Sequence, residues 1–565
     1  MPRNRRLRRR ALIAVSAIAV TSLIVSACSG SGGATSDNGT VSMYATTGYA
    51  QNLDTNTFTK YVEKKYNMKI KWNLVPASDA ASKQSLELSS GDYPDVFWNA
   101  NFGQPDILKY ASQHIFVPLN DMLKQYAPNV WKAIQTDPYL KATTVAPDGN
   151  VYSLPHYNYC MHCSFPQKMW INVKYLKQYG LAIPTTTAEF EHVLEVFKQH
   201  GITPLTSALD WGYNLLTYLM DAFIYDPGWG GSWFDVDNNG KLTFAPAQAQ
   251  WQAGLKYIHE LYSKGLISDV AFTQQTTDME RQLSQHKVGA FTNLCVQCIN
   301  VNDWQDWMAV PPLKGPNGVR FSTFAAPATG GTFAITNKAS KADQIATMKV
   351  LNLMYTTTGQ LYEDYGPSGS PLWTKAKSGQ KGLASTPPQF DINWTKVSGS
   401  SGQLQNEGWN QMGPMYQSKE WFDANVAHGD APTLLQLSTQ MFYIGLTPDK
   451  VVPSALWVAP DQAQQYSSQA ANIDTYVQQW AGQFITGAKS VDKDWSAYLK
   501  GLNGLGLAQY TATSQKAMKA PLSTSGYKLD EASIQQMLGL MSGPLSWQLD
   551  MMKTAYTKVR GTAVP

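Results

Sequence analysis

The chain alternates short apolar runs of strand type with amphipathic helical stripes. Val41-Ser42-Met43-Tyr44 reads as a first strand, the Gly48 to Thr55 stretch as a loop, and Phe58, Tyr61 and Val62 as one face of a helix. Met68, Ile70, Trp72 and Leu74 then alternate with polar residues, the period of a strand with one buried face. Thr186-Thr187-Ala188-Glu189 has the form of a capping box, with Thr186 accepting from the Glu189 amide and Glu189 reaching back. Phe190, Val193, Leu194 and Phe197 follow it at helical spacing. Trp251, Leu255, Ile258 and Tyr262 form a second stripe, ended by Gly265. Ser398 to Ser401 with Gly399 and Gly402, and Lys375 to Lys381, read as surface loops or insertions. No repeat of fixed period is visible, and the alternation of strands and helices predicts an α/β protein.

The N-terminus carries a different pattern. Arg3, Arg5, Arg6, Arg8, Arg9 and Arg10 precede an uncharged stretch, Ala11 to Ala27, that ends in Val25-Ser26-Ala27-Cys28, the layout of a secretory signal. Its 17 residues are short for a membrane span of about 20, and Ser29-Gly30-Ser31-Gly32-Gly33 follows as a flexible tether. The stretch resembles bacterial lipoprotein signals, which implies cleavage before Cys28 and acylation of that cysteine as a membrane anchor. Removing residues 1–27 takes away six of the 45 basic residues and none of the 41 acidic ones. The balance becomes 39 against 41, about −2, so the hint of a nucleic-acid partner in the basic total disappears. The remaining 538 residues exceed what one core supports, and two or more lobes are expected. Eighteen Trp and 29 Tyr supply rings for stacking surfaces as well as for cores.

A series of short motifs follows in order: Ser90-Gly91-Asp92-Tyr93-Pro94-Asp95-Val96-Phe97, Asp148-Gly149-Asn150-Val151-Tyr152-Ser153-Leu154-Pro155, Met169-Trp170-Ile171-Asn172 with Tyr175-Leu176, and Gly180 to Thr186. Lys287-Val288-Gly289-Ala290-Phe291, Gly330 to Ile335, Tyr365-Gly366 with Gly369, and Phe484-Ile485-Thr486-Gly487 with Asp494-Trp495 continue it. Together, over roughly residues 40 to 507, they resemble the extracellular solute-binding proteins of ABC importers, in the carbohydrate-binding branch related to maltose-binding protein. The resemblance implies a two-lobed α/β fold of the type II periplasmic-binding-protein kind, with a hinge and a ligand cleft. It implies a lobe 1 of residues 40–155 and 296–335, and 156–295 and 336–507 as lobe 2 with hinge-packing helices. Residues 1–27 are then the signal, 28–39 the tether and 508–565 a C-terminal extension. Tyr152 to Tyr159 resembles the first crossing between lobes and Ala290 to Leu294 the second. The chain departs from the branch at Ser368, where Glu is frequent, and at Asn172, where a basic residue is frequent.

A pyranose presents apolar C–H faces and a ring of hydroxyls, so aromatic platforms and planar polar side chains suit it. The best cluster is Asp210-Trp211-Gly212-Tyr213-Asn214, followed by Trp229-Gly230-Gly231-Ser232-Trp233, where glycines let backbone and ring approach a ligand. Trp211 is the foremost candidate; aromatic residues of this kind also close cores. Trp98 and Asn99 follow a strand whose carboxyl end should open into the cleft. Tyr157 and Tyr159 occupy the first crossing, Asn52 lies in the loop after the first strand, and Asp95 reads as structural. The candidate ligand contacts are therefore Trp98, Asn99, Asn52, Tyr157, Tyr159, Asp210, Trp211, Tyr213, Trp229 and Trp233.

After Cys28 the cysteines form two Cys-x-x-Cys pairs, Cys160/Cys163 and Cys295/Cys298. Outside the cytoplasm an even set favours disulfides, here as two local loops; a zinc site of four thiolates, helped by His162 and His156, is the alternative, and a thioredoxin-like redox role ranks below it because neither pair opens an evident helix in a βαβ unit. His259-Glu260-Leu261-Tyr262-Ser263 lacks the second histidine of a zinc protease motif. Asp235 to Gly240 starts like a calcium loop but has Pro246 in the twelfth position, so a hairpin turn at Asn239-Gly240 is expected. Gly487-Ala488-Lys489-Ser490 is no phosphate loop, so the ATPase must be another chain. The expectation is a monomeric, membrane-tethered, non-enzymatic receptor without cofactor, which passes an oligosaccharide to an ABC permease. The alternatives are a secreted glycoside hydrolase, or the same fold binding a peptide or another small solute.

Overall fold

The computed structural model describes residues 39–48, 50–209, 215–228, 232–299, 302–397 and 405–565. Among them, two principal sheets are built from β1 (Thr40–Thr46), β2 (Lys69–Val75), β3 (Val96–Phe102), β4 (Leu154–Asn158), β5 (Met169–Asn172), β6 (Thr203–Thr206), β7 (Val288–Thr292), β8 (Trp307–Val310), β9 (Ala328–Ile335) and β10 (Tyr416–Gln417). The first sheet has six strands in the order β10-β4-β9-β3-β1-β2, and the second has four in the order β8-β5-β7-β6. β1 runs parallel to β2 and β3, and β9 runs antiparallel to both β3 and β4.

Central strands read as continuous apolar runs because helices cover both faces. Val41, Met43, Tyr44 and Ala45 of β1 and Val96, Phe97 and Trp98 of β3 have no exposed surface. β2 is an edge strand, and its alternation holds only in part: Ile70 is buried and Trp72 half-buried, but Leu74 is 41% exposed, while Val75 is buried on the opposite face. The helix Thr187–Gln199 starts at the expected cap, with the Glu189 amide donating to Thr186 Oγ1 at 3.1 Å. The return bond goes elsewhere. Glu189 Oε2 accepts from the amide (2.7 Å) and hydroxyl (2.9 Å) of Thr185.

The chain leaves the first sheet after β4 and enters the second at β5, so residues 159–168 form the first crossing, and the expected one, Tyr152 to Tyr159, is corrected because Leu154–Asn158 pairs within the first sheet. The second crossing is not at Ala290 to Leu294. β7 and β8 both flank β5 in the four-stranded sheet, and the chain returns to the first sheet only at β9. Residues 307–310, expected in lobe 1, therefore pair within lobe 2. Conversely the helix Lys341–Met354 packs on Asn120–Tyr126, Pro128–Thr136 and Thr57–Tyr66, on the six-stranded side. The helix Pro460–Thr486 touches Gln104–Ser112 of the first lobe and Ala249–Ser263 of the second.

The C-terminal extension is integral to the fold. Its last helix, Glu531–Arg560, breaks at Leu545 (φ −124°, ψ 24°). Before the break, Gln536 donates to the carbonyls of Gly382 and Ala384 at 2.7 and 2.8 Å. After it, Lys177 lies over the Trp547 ring at 4.4 Å and Lys558 pairs with Glu189 at 3.5 Å. Met537, Met541, Leu545 and Met552 are fully buried.

Candidate ligand cleft

Two loops meet beyond the carboxyl end of β1. The Gln51 amide donates to the Gln405 carbonyl at 2.9 Å, the Asn52 amide to Asn406 Oδ1 at 3.0 Å, and Asn406 Nδ2 to Thr55 Oγ1 at 3.0 Å. Asn56 closes the zip: its Oδ1 caps the helix Thr57–Tyr66 through the Phe58 and Thr59 amides, and its Nδ2 donates to the Gly408 carbonyl at 2.8 Å. Asn99 adds a third tie. It adopts φ 53°, donates to the Thr46 carbonyl at 2.8 Å and accepts from the Gly413 amide at 3.0 Å. An asparagine at positive φ with both ends of its amide engaged is a bracket between β1, β3 and the 405–413 loop.

Beneath this loop lies a buried carboxyl pair. Glu363 and Asp364 are 1% and 0% exposed and hydrogen-bond to each other. The Glu363 carbonyl accepts from the amides of Trp409 and Asn410 at 2.6 and 3.3 Å. Gln417 Nε2 and the Gln411 amide both donate to the Asp364 carboxyl. Burial without a cation holds both groups well above the usual carboxylate range, with Asp364 pushed up to about 7.

The predicted aromatic contacts divide. Trp98 is fully buried, edge-on to Phe333 (5.5 Å) and to Trp409 (5.2 Å), and Trp409 also meets Phe58 and Trp72 at 4.8 and 5.6 Å. Its ring leaves no face for a ligand, because β3 is central and covered on both sides. Trp233 is 5% exposed, with Nε1 donating to Asp474 at 2.9 Å and its ring edge-on to Trp251; it closes the core beside the helix Pro460–Thr486. Tyr157 is 2% exposed and its hydroxyl bonds to Asp137, whose own burial raises its pKa. Tyr159 keeps part of its surface but stacks on Tyr527 of the extension, centroids 4.9 Å apart at 4°. Asn52 is exposed and its Oδ1 accepts from the Asp54 and Thr55 amides, shaping its own turn. Asp210, Trp211, Tyr213 and Trp229, like Cys28, lie outside the described residues.

Other expectations resolve locally. Asn172, where the branch often has a basic residue, caps the helix Val173–Gln178 by accepting from the Lys174 and Tyr175 amides. Asp95 is structural, accepting from the Ser42 amide and hydroxyl at 2.8 and 2.6 Å. The calcium-like stretch is the expected hairpin, Phe234–Val236 with Leu242–Phe244, and Gly240 takes φ 81°. The cysteines form the two local disulfides, Cys160–Cys163 and Cys295–Cys298. The four-thiolate zinc alternative is thereby corrected: Cys160, His162 and Cys163 do come together, but the sulfurs are spent on each other. Trp409, Asn406 and the Glu363–Asp364 pair had not been singled out. Gly408-Trp409-Asn410 repeats the glycine-beside-tryptophan signal used at Trp211, and was the clue available.

The family model described as "Bacterial extracellular solute-binding protein" matches residues 48–361, more than half of the chain. A curated relative, the fructooligosaccharide ABC transporter substrate-binding protein FusA of Streptococcus pneumoniae, is 25% identical over 481 residues, 80% of this chain and 85% of FusA. Lipoprotein LipO of Bacillus subtilis is 24% identical over 303 residues, 50% of this chain and 57% of LipO. Among solved structures, an HMO-binding, ABC-transporter-associated solute-binding protein from Bifidobacterium longum infantis superposes with a TM-score of 0.72 at 22% identity. That match covers 85% of this chain and 98% of the other, and shows the fold.

Proposed function

The chain belongs to the bacterial extracellular solute-binding proteins, and from that premise we propose that it captures an oligosaccharide and delivers it to an ABC permease with a separate ATPase. The observation that carries the reading is the match to FusA, whose name gives a fructooligosaccharide ligand and which is covered over 85% of its length. The two-lobed fold supports it, because lobes joined by crossing segments close by hinge motion around a ligand. The cleft contacts move from the buried rings to atoms with spare capacity. Gln51, Asp54 and Gln411 are exposed around the zipped loops, and among the described residues their side chains make no hydrogen bond. Asn52, Tyr159, Trp211 and Trp229 remain candidates beside them. Cys28 is the proposed lipid anchor, a reading supported by the name of the relative LipO, and the receptor acts as a monomer without turnover.

The test is a thermal-shift screen of the protein lacking residues 1–28 against kestose, longer fructans, other glycans and peptides. A ligand at 100 times its Kd adds about 2.7 kcal/mol of stability. A shift with peptides alone would sink the carbohydrate reading. Product released from a bound oligosaccharide, and abolished by one Asp or Glu substitution, would sink the claim that the protein only binds. For the anchor, Cys28→Ala should fold normally and leave the membrane fraction; retention there refutes it.

A further inference from the structure

Two Cys-x-x-Cys disulfides of equal spacing lie in this chain, and their surroundings differ. Cys160–Cys163 closes a turn in the first crossing, between β4 and β5. Cys160 is 3% exposed, whereas Cys163 keeps part of its surface open. The Cys160 sulfur faces His162 Nε2 at 3.3 Å and Nδ1 at 3.4 Å, and the Cys163 amide donates to it at 3.3 Å. Gln436 Nε2 lies 2.7 Å from His162 Nδ1; as a donor to that nitrogen it leaves the imidazole proton on Nε2, while the Cys160 sulfur, nearly equidistant from both nitrogens, lies against the ring rather than along the N–H. Lys168 lies beside the same turn. It is fully buried, and its ammonium donates to the carbonyls of His162 (2.8 Å) and Phe165. Among the described residues it pairs with no carboxylate. Around Cys295–Cys298 the recorded polar contact is the Cys295 amide to Asn293 Oδ1 at 3.3 Å, and among the described residues no imidazole or ammonium bonds to either sulfur.

We propose that Cys160–Cys163 is a thiol–disulfide exchange site, with Cys163 the sulfur attacked and Cys160 the leaving thiolate, and that a dithiol of the extracytoplasmic space is its reductant. One sulfur of the dithiol, as thiolate, attacks Cys163 Sγ, and the Cys160–Cys163 bond breaks. The electron pair stays on Cys160, which accepts a hydrogen bond from the Cys163 amide and lies against the His162 imidazole, a neighbour that can take up a proton and stabilise the thiolate. The second sulfur of the dithiol then attacks its partner in the mixed disulfide and releases Cys163. Two electrons pass from dithiol to protein, and the dithiol leaves as a cyclic disulfide. One of its two protons ends on Cys163, the other within the Cys160–His162 pair. A leaving group whose anion is stabilised leaves faster and makes the disulfide more oxidising.

The experiment equilibrates oxidised protein with graded ratios of reduced to oxidised dithiothreitol, traps thiols by alkylation and maps each pair by peptide mass spectrometry. Cys160–Cys163 is expected to be half-reduced at a ratio at least about tenfold lower than Cys295–Cys298, equivalent to about 30 mV. His162→Ala should bring the two ratios to within about threefold. This comparison within one wild-type chain needs no variant to fold. Coincident titration, or earlier opening of Cys295–Cys298, overturns the proposal. The direction of attack is tested with oxidised glutathione: Cys163 in Cys160→Ser should form the mixed disulfide at least about tenfold faster than Cys160 in Cys163→Ser. Equal or reversed rates overturn the assignment of the attacked sulfur.

Discussion

Glu363→Gln should stabilise the protein at pH 8 and not at pH 5. In the folded chain Glu363 and Asp364 hold their protons far above the ordinary values of 4.5 and 3.8, because burial penalises their anions; Asp364 raises Glu363 further, while the hydrogen bond between them works against the rise at Asp364. Both folded pKa values lie above the unfolded ones. The folded state thus keeps protons that the unfolded chain releases, and its stability is full below about pH 4 and falls as pH rises. For Asp364, the rise to about 7 corresponds to about 4 kcal/mol lost between pH 4 and pH 7, at about 1.4 kcal/mol per unit. Glu363 acts with the same sign, losing stability as pH rises. A glutamine escapes this term and offers Asp364 an N–H in place of the shared proton. The difference between variant and wild type should therefore move in the variant's favour by about 2 kcal/mol or more from pH 5 to pH 8. For one compact unit from Gly39 to Pro565, at about 2.1 cal/mol/K per residue, that is roughly 2 °C in Tm. Scanning calorimetry of both proteins at four pH values decides it. Parallel profiles, or a variant more damaged at pH 8 than at pH 5, would refute a protonated carboxyl pair under the 405–413 loop.

Trp98→Ala should cost about 3–5 kcal/mol in denaturant unfolding, since it opens a cavity between Phe333 and Trp409; an unchanged midpoint would place the ring at an open surface. Asn99→Ala loses the bonds to Thr46 and Gly413 and forces alanine to φ 53°, at about 2–4 kcal/mol. Asn99→Gly, free of the φ penalty, should cost less, and equal losses would remove backbone strain from the account. Ending the chain at residue 507 should abolish soluble folded protein, because it strips Tyr527 from Tyr159 and removes the buried face of Glu531–Arg560; a soluble product with wild-type melting would contradict an integral extension.

Local order was legible because its causes are local. The cap at Thr186, the stripe from Trp251 to Ile258 and the Asn239-Gly240 turn each depend on residues a few positions apart, and each appears at its expected place. Sheet membership depends on partners that no spacing announces. Trp307-Met308-Ala309-Val310 is wholly apolar, and nothing in the run says that Asn172 to Met169 will lie beside it. The second crossing was misplaced for that reason. Leu74 failed differently: an edge strand buries less than its alternation promises, and Val75 is buried on the opposite face.

The cleft was harder to read than the fold, because the residue types that recognise a sugar are also those that hold loops together. An indole is as useful between Phe333 and Trp409 as against a pyranose face, and in a central strand both faces are covered, so the period that separates inside from outside is lost. Planar polar side chains carry the same ambiguity. Asn52, Asn56, Asn99, Asn172 and Asn406 all engage backbone or one another, as caps, turn formers and brackets between loops. Asn172 caps the helix Val173–Gln178, and each of the others satisfies a polar group in or beside the irregular 47–56 and 405–413 segments. What a ligand can use is the remainder after that internal demand is met. The exposed side chains of Gln51, Asp54 and Gln411 qualify, not by type or spacing, but because the fixed geometry around them is already complete.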